Sequence, residues 1–402
     1  MKKIIVALGA VIICCIVFWL AKQEQQPYLV ETILPENQQQ SEGDGRRFMH
    51  GLNFIDRLDG NVDVYWSQTT DGGKDSEWTH DIMTGVVSQD KLKLQQQKTV
   101  MALPLAQEPV SVSASKAGVR MVTFEDANAT TNEVAQRFFM TDATGTITKP
   151  YPQTVKDGGH SGHTASTDTA HIIAWSDDWV DGGGVDNLGT GKRVQLSVYD
   201  DTGQLIDSQD ITSRDKDREW WPMIAASPER ALIVWQRYIE GEDYAQVMYA
   251  LYDPVAKRFQ KRPLLLQPNN AYYQYNVAYV QAIDSFIVTG NTRENKGYMY
   301  IINDTGRIVN GSFNLPPFVR ESSPAIKNND KRAELTYPMA PSGFIKYEVT
   351  AEDIIEKYQI ADDYEWQTMG TAGFYTAKDE IYFASLAQHG IVEKIIHKRG
   401  EG

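Results

Sequence analysis

Trp220-Trp-Pro-Met-Ile-Ala-Ala-Ser-Pro-Glu-Arg-Ala-Leu-Ile-Val-Trp235 reads as a short strand, a turn and an apolar strand that ends in an aromatic residue. His160-Ser-Gly-His-Thr-Ala-Ser-Thr-Asp-Thr-Ala-His-Ile-Ile-Ala-Trp175 aligns with it without a gap, setting Ala165 on Ala225, Ala170 on Arg230 and Trp175 on Trp235. Each stretch is followed by further strand-like runs, at 194–199 and 246–252. One unit is written twice, and a repeat outranks any local reading of secondary structure.

The frame extends outward in both directions. Pro324, Ile326, Arg332 and Tyr337 fall on it, and weaker copies end at Trp66, Phe124, Thr289 and Phe383. The end points 66, 124, 175, 235, 289, 337 and 383 are 46 to 60 residues apart. A second marker recurs as Asp142-Ala-Thr-Gly145, Asp200-Asp-Thr-Gly203 and Asn303-Asp-Thr-Gly306. It predicts a tight hairpin turn, with Gly where φ is positive. Regular units of about four strands without linkers predict an all-β chain, a seven-bladed β-propeller over 48–398. One helix is expected, over 351–358, with Thr350 as its N-cap and Asp353 three residues on. The last unit looks one strand short. A run at 28–34 within the spacer 22–47 is expected to supply the missing strand and so remove exposed edges.

Residues 1–21 carry Lys2 and Lys3 and then seventeen uncharged residues at 4–20. This is an export signal, read as an uncleaved transmembrane anchor that leaves the body on the periplasmic or extracellular side. A cleaved signal peptide and a lipoprotein are the alternatives. Cys14 and Cys15 are the only cysteines and both lie in that run, so the body has neither a disulfide nor thiol chemistry. The formal net charge is −14, and three lysines fall within the first 22 residues, leaving the rest more acidic still. Such a surface repels nucleic acid and anionic lipid. The partner is expected to be an envelope protein or a glycan, with the membrane contacted only through the N-terminal segment.

Aligning the units collects the residues that lead into each first strand: His50, Glu108, His160, His163, Trp220, Trp221, Tyr273, Tyr275, Arg320, Glu321 and Trp366. Arg237, Arg293 and the segment 177–192 follow the second strands. All are expected to ring one mouth of a central channel, the best candidate binding site. Within 177–192, Asp177, Asp178, Asp181 and Asp186 stand among five glycines, a composition suited to calcium, although the spacing is not that of an EF-hand loop. Asp71-Gly-Gly-Lys-Asp75 is a weaker version. His160-x-x-His163, with Asp157 before it and His50 across the channel, raises a zinc reading that lacks an evident third ligand.

The Ala-x(9)-Trp frames ending at Trp175 and Trp235 and the Asp-x-Thr-Gly turns resemble those of exported bacterial propellers, the sialidase-like and related repeat proteins. The resemblance is one of blade pattern. The Asp-box of sialidases is absent, because Ser67 to Trp78 has the wrong spacing. It implies either a non-catalytic binding or scaffold module or an exported carbohydrate-active enzyme, a polysaccharide lyase or glycosidase. Propeller lyases use His, Tyr and Arg at the channel mouth, which would fall to His160 or His163, Tyr273 or Tyr275, and Arg320. The binding module is preferred, since an anchored chain suits a local partner. The adjacent Trp220 and Trp221 should face opposite ways along a strand, one packed and one free to bind.

Overall fold

The computed structural model describes residues 27–35, 48–57, 59–69, 80–128, 133–187, 189–212, 217–366, 368–387 and 390–399. Apolar runs and alternating stretches put most of them into antiparallel strands. The first is β1 (Tyr28–Ile33). One sheet then holds β2 (Phe48–Asp56), β3 (Val62–Gln68), β4 (Asp81–Val87) and β5 (Leu94–Met101). The next holds β6 (Gln107–Ala114), β7 (Arg120–Asn128), β8 (Glu133–Thr141) and β9 (Ile147–Asp157). A third holds β10 (His160–Ser166), β11 (His171–Val180), β12 (Thr190–Tyr199) and β13 (Leu205–Asp210).

A seven-stranded sheet follows, with β14 (Glu219–Ala226), β15 (Ala231–Tyr238), β16 (Ala245–Asp253), β17 (Arg258–Val280), β18 (Ser285–Thr292), β19 (Gly297–Asn303) and β20 (Ile308–Leu315). It is continuous because the first half of β17 pairs with β16 and the second half with β18. β21 (Ala325–Asn329), β22 (Arg332–Pro338), β23 (Ser342–Thr350) and β24 (Ile354–Glu365) form another four-stranded sheet. The last combines β25 (Thr368–Tyr375), β26 (Ile381–Ala387) and β27 (Gly390–Lys398) with β1, which pairs along β27 from Tyr28–Lys398 to Ile33–Glu393.

Each aromatic or polar end point of the repeat lies in the second strand of its run and is buried: Trp66, Phe124, Trp175, Trp235, Thr289, Tyr337 and Phe383. The core is split into layers between neighbouring sheets. Met121, Phe138, Ile173 and Trp175 pack between the second and third sheets, and Leu196, Val198, Ile233 and Trp235 between the third and fourth. Each large ring so buried contributes roughly 3 kcal/mol before entropy. The first strands touch in a circle: β2 with β6, β6 with β10, β10 with β14, β14 with β17, β21 with β25, and β25 with β2. Asn276 Nδ2 joins β17 to the segment before β21 by donating to Ser322 O, 2.8 Å, and Ser323 Oγ, 2.9 Å.

The three turn markers each join a third strand to a fourth. Asp142, Asp200 and Asn303 accept backbone N–H bonds two and four residues ahead through Oδ1. Gly145, Gly203 and Gly306 sit at φ of 84°, 74° and 74°, where a Cβ would be strained.

The helix expected over 351–358 is not formed. Thr350 Oγ1 does accept the N–H of Asp353, 3.0 Å, but the chain turns back there and continues as β24 along β23. A capping residue serves a hairpin as readily as a helix, and the neighbouring strand decides which. Residues 4–20 lie outside the described residues, among which no helix is long and apolar enough to cross a membrane.

Candidate functional site

The leading residues of most first strands share one geometry, a β-bulge, whereas Arg320 and Glu321 lie before β21, which pairs with β22 without a slip. Pairing slips between His160 and His163, between Trp220 and Met223, between Asn270 and Tyr275, between Gln107 and Val110, and between Thr368 and Thr371. Ser161, Trp221, Tyr273 and Glu321 have φ of 55°, 57°, 61° and 54°. Non-glycine residues held in that region cost about 1 kcal/mol or more each, so the surroundings must hold them there.

The preceding unit does so. Ser161 N–H donates to Glu125 Oε2 at 2.8 Å, Trp221 N–H to Ser176 Oγ at 3.1 Å, and Tyr273 N–H to Gln236 Oε1 at 3.1 Å. Glu125, Ser176 and Gln236 each stand directly after the aromatic end point of their unit. Sequence reasoning passed over these three, although a polar residue at that fixed place in the repeat was the available signal.

The bulges, and the turn before β21, bring side chains from successive units together. The rings of His163 and Trp221 lie 6.0 Å apart edge to face, and those of Trp221 and Tyr273 4.8 Å apart. The Arg320 guanidinium stands 5.3 Å from the Tyr273 centroid and its Nε donates to Glu321 Oε1 at 2.9 Å. These five residues are partly exposed and make one row, imidazole, indole, phenol, guanidinium and carboxylate.

The other residues picked out by alignment lie beneath or beside the row. Trp220 is fully buried and donates Nε1–H to Tyr273 Oη at 3.2 Å. Tyr275 is buried, and its hydroxyl donates to the Trp221 carbonyl. His160 is buried with Nδ1 2.8 Å from Ser161 Oγ, its ring against Trp179. Glu108 is buried in β6. Trp366 lies against Phe344 and Tyr364 and donates to Gly343 O at 3.3 Å, a packing role between the last two sheets. Arg237 is held by Asp217 and by buried Glu219, and Arg293 by Glu242 and Asp243. The side chain of His50, in β2, lies outside the described residues, as does the segment 71–79.

The glycine-rich segment 177–192 is largely an extension of the β11–β12 hairpin, pairing Asp177 with Arg193 and Val180 with Thr190. Two of its carbonyls, Val180 O and Gly182 O, accept from Arg218 Nη2, and Arg218 Nε donates to Thr190 Oγ1 at 2.6 Å. A guanidinium thus stands where backbone oxygens converge. Asp177 Oδ2 accepts from Gln195, Asp178 lies 3.7 Å from Lys192, and Asp181 is exposed; the side chain of Asp186 is outside the described residues. Among the described residues no three His, Cys, Asp or Glu side chains converge, at this hairpin or around His160 and His163.

Burial pushes the His160 imidazole down to about 4. The folded state therefore keeps it neutral while the unfolded chain takes up a proton below about pH 6.5. The contribution of this group to stability therefore falls as the pH drops from 7 towards 4. Urea unfolding at pH 7 and pH 5 should differ by about 2 kcal/mol from this group. His160→Asn should remove that part of the difference; an unchanged slope in the variant would refute the assignment.

No known family matches the chain, and no curated sequence does. Among solved structures, the WD40 domain of a coronin from Toxoplasma gondii aligns at 8% identity over 93% of this chain and 87% of that one, with a TM-score of 0.54. A chain of a mitotic checkpoint complex aligns at 9% identity over 90% of this chain and 93% of that one, TM-score 0.52. A sialidase from Trypanosoma rangeli reaches 8% identity and a TM-score of 0.47 over 92% of this chain and 60% of that one. Identities this low speak of architecture and not of chemistry. Together with the circle of first strands, the resemblance is one of fold alone: this chain is a β-propeller.

Proposed function

We propose that the chain is a seven-bladed propeller of the bacterial envelope, tethered through residues 4–20, which binds a glycan without catalysis at the mouth formed by His163, Trp221, Tyr273, Arg320 and Glu321. The count of seven is supported by reading the long sheet as two runs that share β17, which pairs with β16 over its first half and with β18 over its second. The observation that carries the binding site is the row itself. Four successive units contribute to it, and Trp221, Tyr273 and Glu321 are held in left-handed backbone to do so. An aromatic face flanked by an Arg–Glu pair suits a sugar ring, which offers an apolar face for stacking and hydroxyls for both charges.

The enzymatic alternative, a lyase or glycosidase, draws less support. His160 and Tyr275 are buried, so neither reaches a substrate. Burial raises the Tyr273 hydroxyl above its usual range, the wrong direction for a base at neutral pH.

Two substitutions test the reading. Trp221→Ala should weaken binding to the best hit of a glycan array by about thirtyfold while lowering the melting temperature by no more than about 3 °C. Trp220→Ala should cost about 3–5 kcal/mol of stability, since it empties a closed site. The reading goes if the array shows no hit, or if Trp221→Ala binds like wild type. The tether is read separately: the full chain should stay in carbonate-washed membranes and a variant lacking residues 1–22 should not.

A further inference from the structure

We propose a second, independent site for a small hydroxylated monocarboxylate, in the cleft between the first and second sheets at the end of the propeller opposite the mouth. The cleft measures about 300 Å³, within the range of small-molecule sites. A bulge opens it: Thr84 pairs with Lys98 and Val86 with Gln95, leaving Gln96, at φ of 54°, to swing out of the ladder. The turn at Gly145, in the second sheet, forms the facing wall.

Its floor is a buried ionic group. Asp63 accepts from Arg120 Nη1 at 2.6 Å and from Arg57 Nη1 at 3.0 Å. Arg120 also donates to Tyr65 Oη at 3.1 Å and Ala143 O at 3.1 Å. Asp63 and Arg120 are only 4% and 2% exposed, so this pair is built into the fold rather than laid on its surface. A guanidinium has five N–H donors. The contacts of Arg120 among the described residues use three of them and fix its guanidinium charge beneath the cleft.

Charge selects the ligand. Arg57, Arg120 and exposed Lys98 line the cleft against one carboxylate, Asp63. Asp59, half exposed at the rim, pairs with Arg57. Asp142, on the turn that forms the facing wall, also lies within reach of the Arg120 charge, so the cation of the cleft that has no carboxylate at salt-bridge distance among the described residues is Lys98. A single carboxylate matches it, whereas a phosphate dianion would overshoot. The Tyr65 and Thr99 hydroxyls and the Gln96 amide supply the partners that a polyol needs.

Calorimetric titration of the whole protein with D-glucuronate is the test, with D-glucose and inorganic phosphate as controls. Saturable one-to-one binding of glucuronate is expected, with glucose silent and phosphate weaker. Lys98→Ala should weaken it about tenfold, the worth of one charge-assisted hydrogen bond, at an unchanged melting temperature. Lys98 is chosen because it is exposed, whereas changes at Arg120 would disturb folding. Trp221→Ala should bind glucuronate as wild type does, which separates this site from the mouth. Absence of saturable heat, equal binding of glucose, tighter binding of phosphate, or a Lys98→Ala variant that binds normally would each overturn the proposal.

Discussion

A variant that begins at residue 36 should melt about 10 °C or more below one that begins at residue 27. The two differ by β1, the outer strand of the last sheet. Its loss leaves β27 an open edge from Glu393 to Lys398. It also strips two buried lysines of partners. Lys346 Nζ donates to Tyr28 Oη at 3.0 Å and lies 5.2 Å from that ring's centroid. Lys394 Nζ donates to Thr32 Oγ1 at 2.7 Å. Ladder bonds at about 1 kcal/mol each and cation–π contacts of similar size add up to about 5 kcal/mol. A body of this size loses about 2 °C per kcal/mol. Calorimetric melting decides, and equal temperatures for the two variants would show that the circle closes without β1.

Asp362→Ala should cost about 3–5 kcal/mol, because it strands a buried cation. Lys394 is fully buried, and its Nζ lies 2.6 Å from Asp362 Oδ2 and 4.4 Å from the Tyr364 centroid. Burial already lowers the Lys394 ammonium below its usual range, with Asp362 holding it up. The double variant Lys394→Met/Asp362→Leu removes both charges and should recover most of the loss, since a buried pair adds little over an apolar one of similar volume. Urea unfolding of the two variants gives both numbers. A loss below about 1 kcal/mol for Asp362→Ala would mean that the ammonium finds water or another partner.

The units were legible in the sequence because their signals are local. A residue within each second strand, aromatic in every unit but the fifth, where Thr289 stands, and a Gly at the Asp-x-Thr-Gly-type hairpins that need positive φ recur at regular intervals whatever the neighbours do. Trp66, Phe124, Trp175, Trp235, Thr289, Tyr337 and Phe383 each mark a separate second strand for that reason. The candidate site was half legible. Alignment collected His163, Trp221, Tyr273, Arg320 and Glu321, but it collected His160, Tyr275 and Trp366 with them.

Depth was the part that the sequence left open. Alternation along a strand says that Trp220 and Trp221 face apart and does not say which one is buried. That choice is made by the bulge, and the bulge is held by Ser176 from the unit before. The same holds for the strand at 354–365, where pairing with β23 overrode a capping pattern, and for the hairpin at 177–192, two of whose carbonyls are taken by Arg218 from the segment before β14. Repetition along the chain is set by short-range chemistry, so the sequence alone determined the propeller units and their turns. Which side chain faces the mouth, which charge is buried and where a cleft opens depend on contacts between units, and only the tertiary structure decided them.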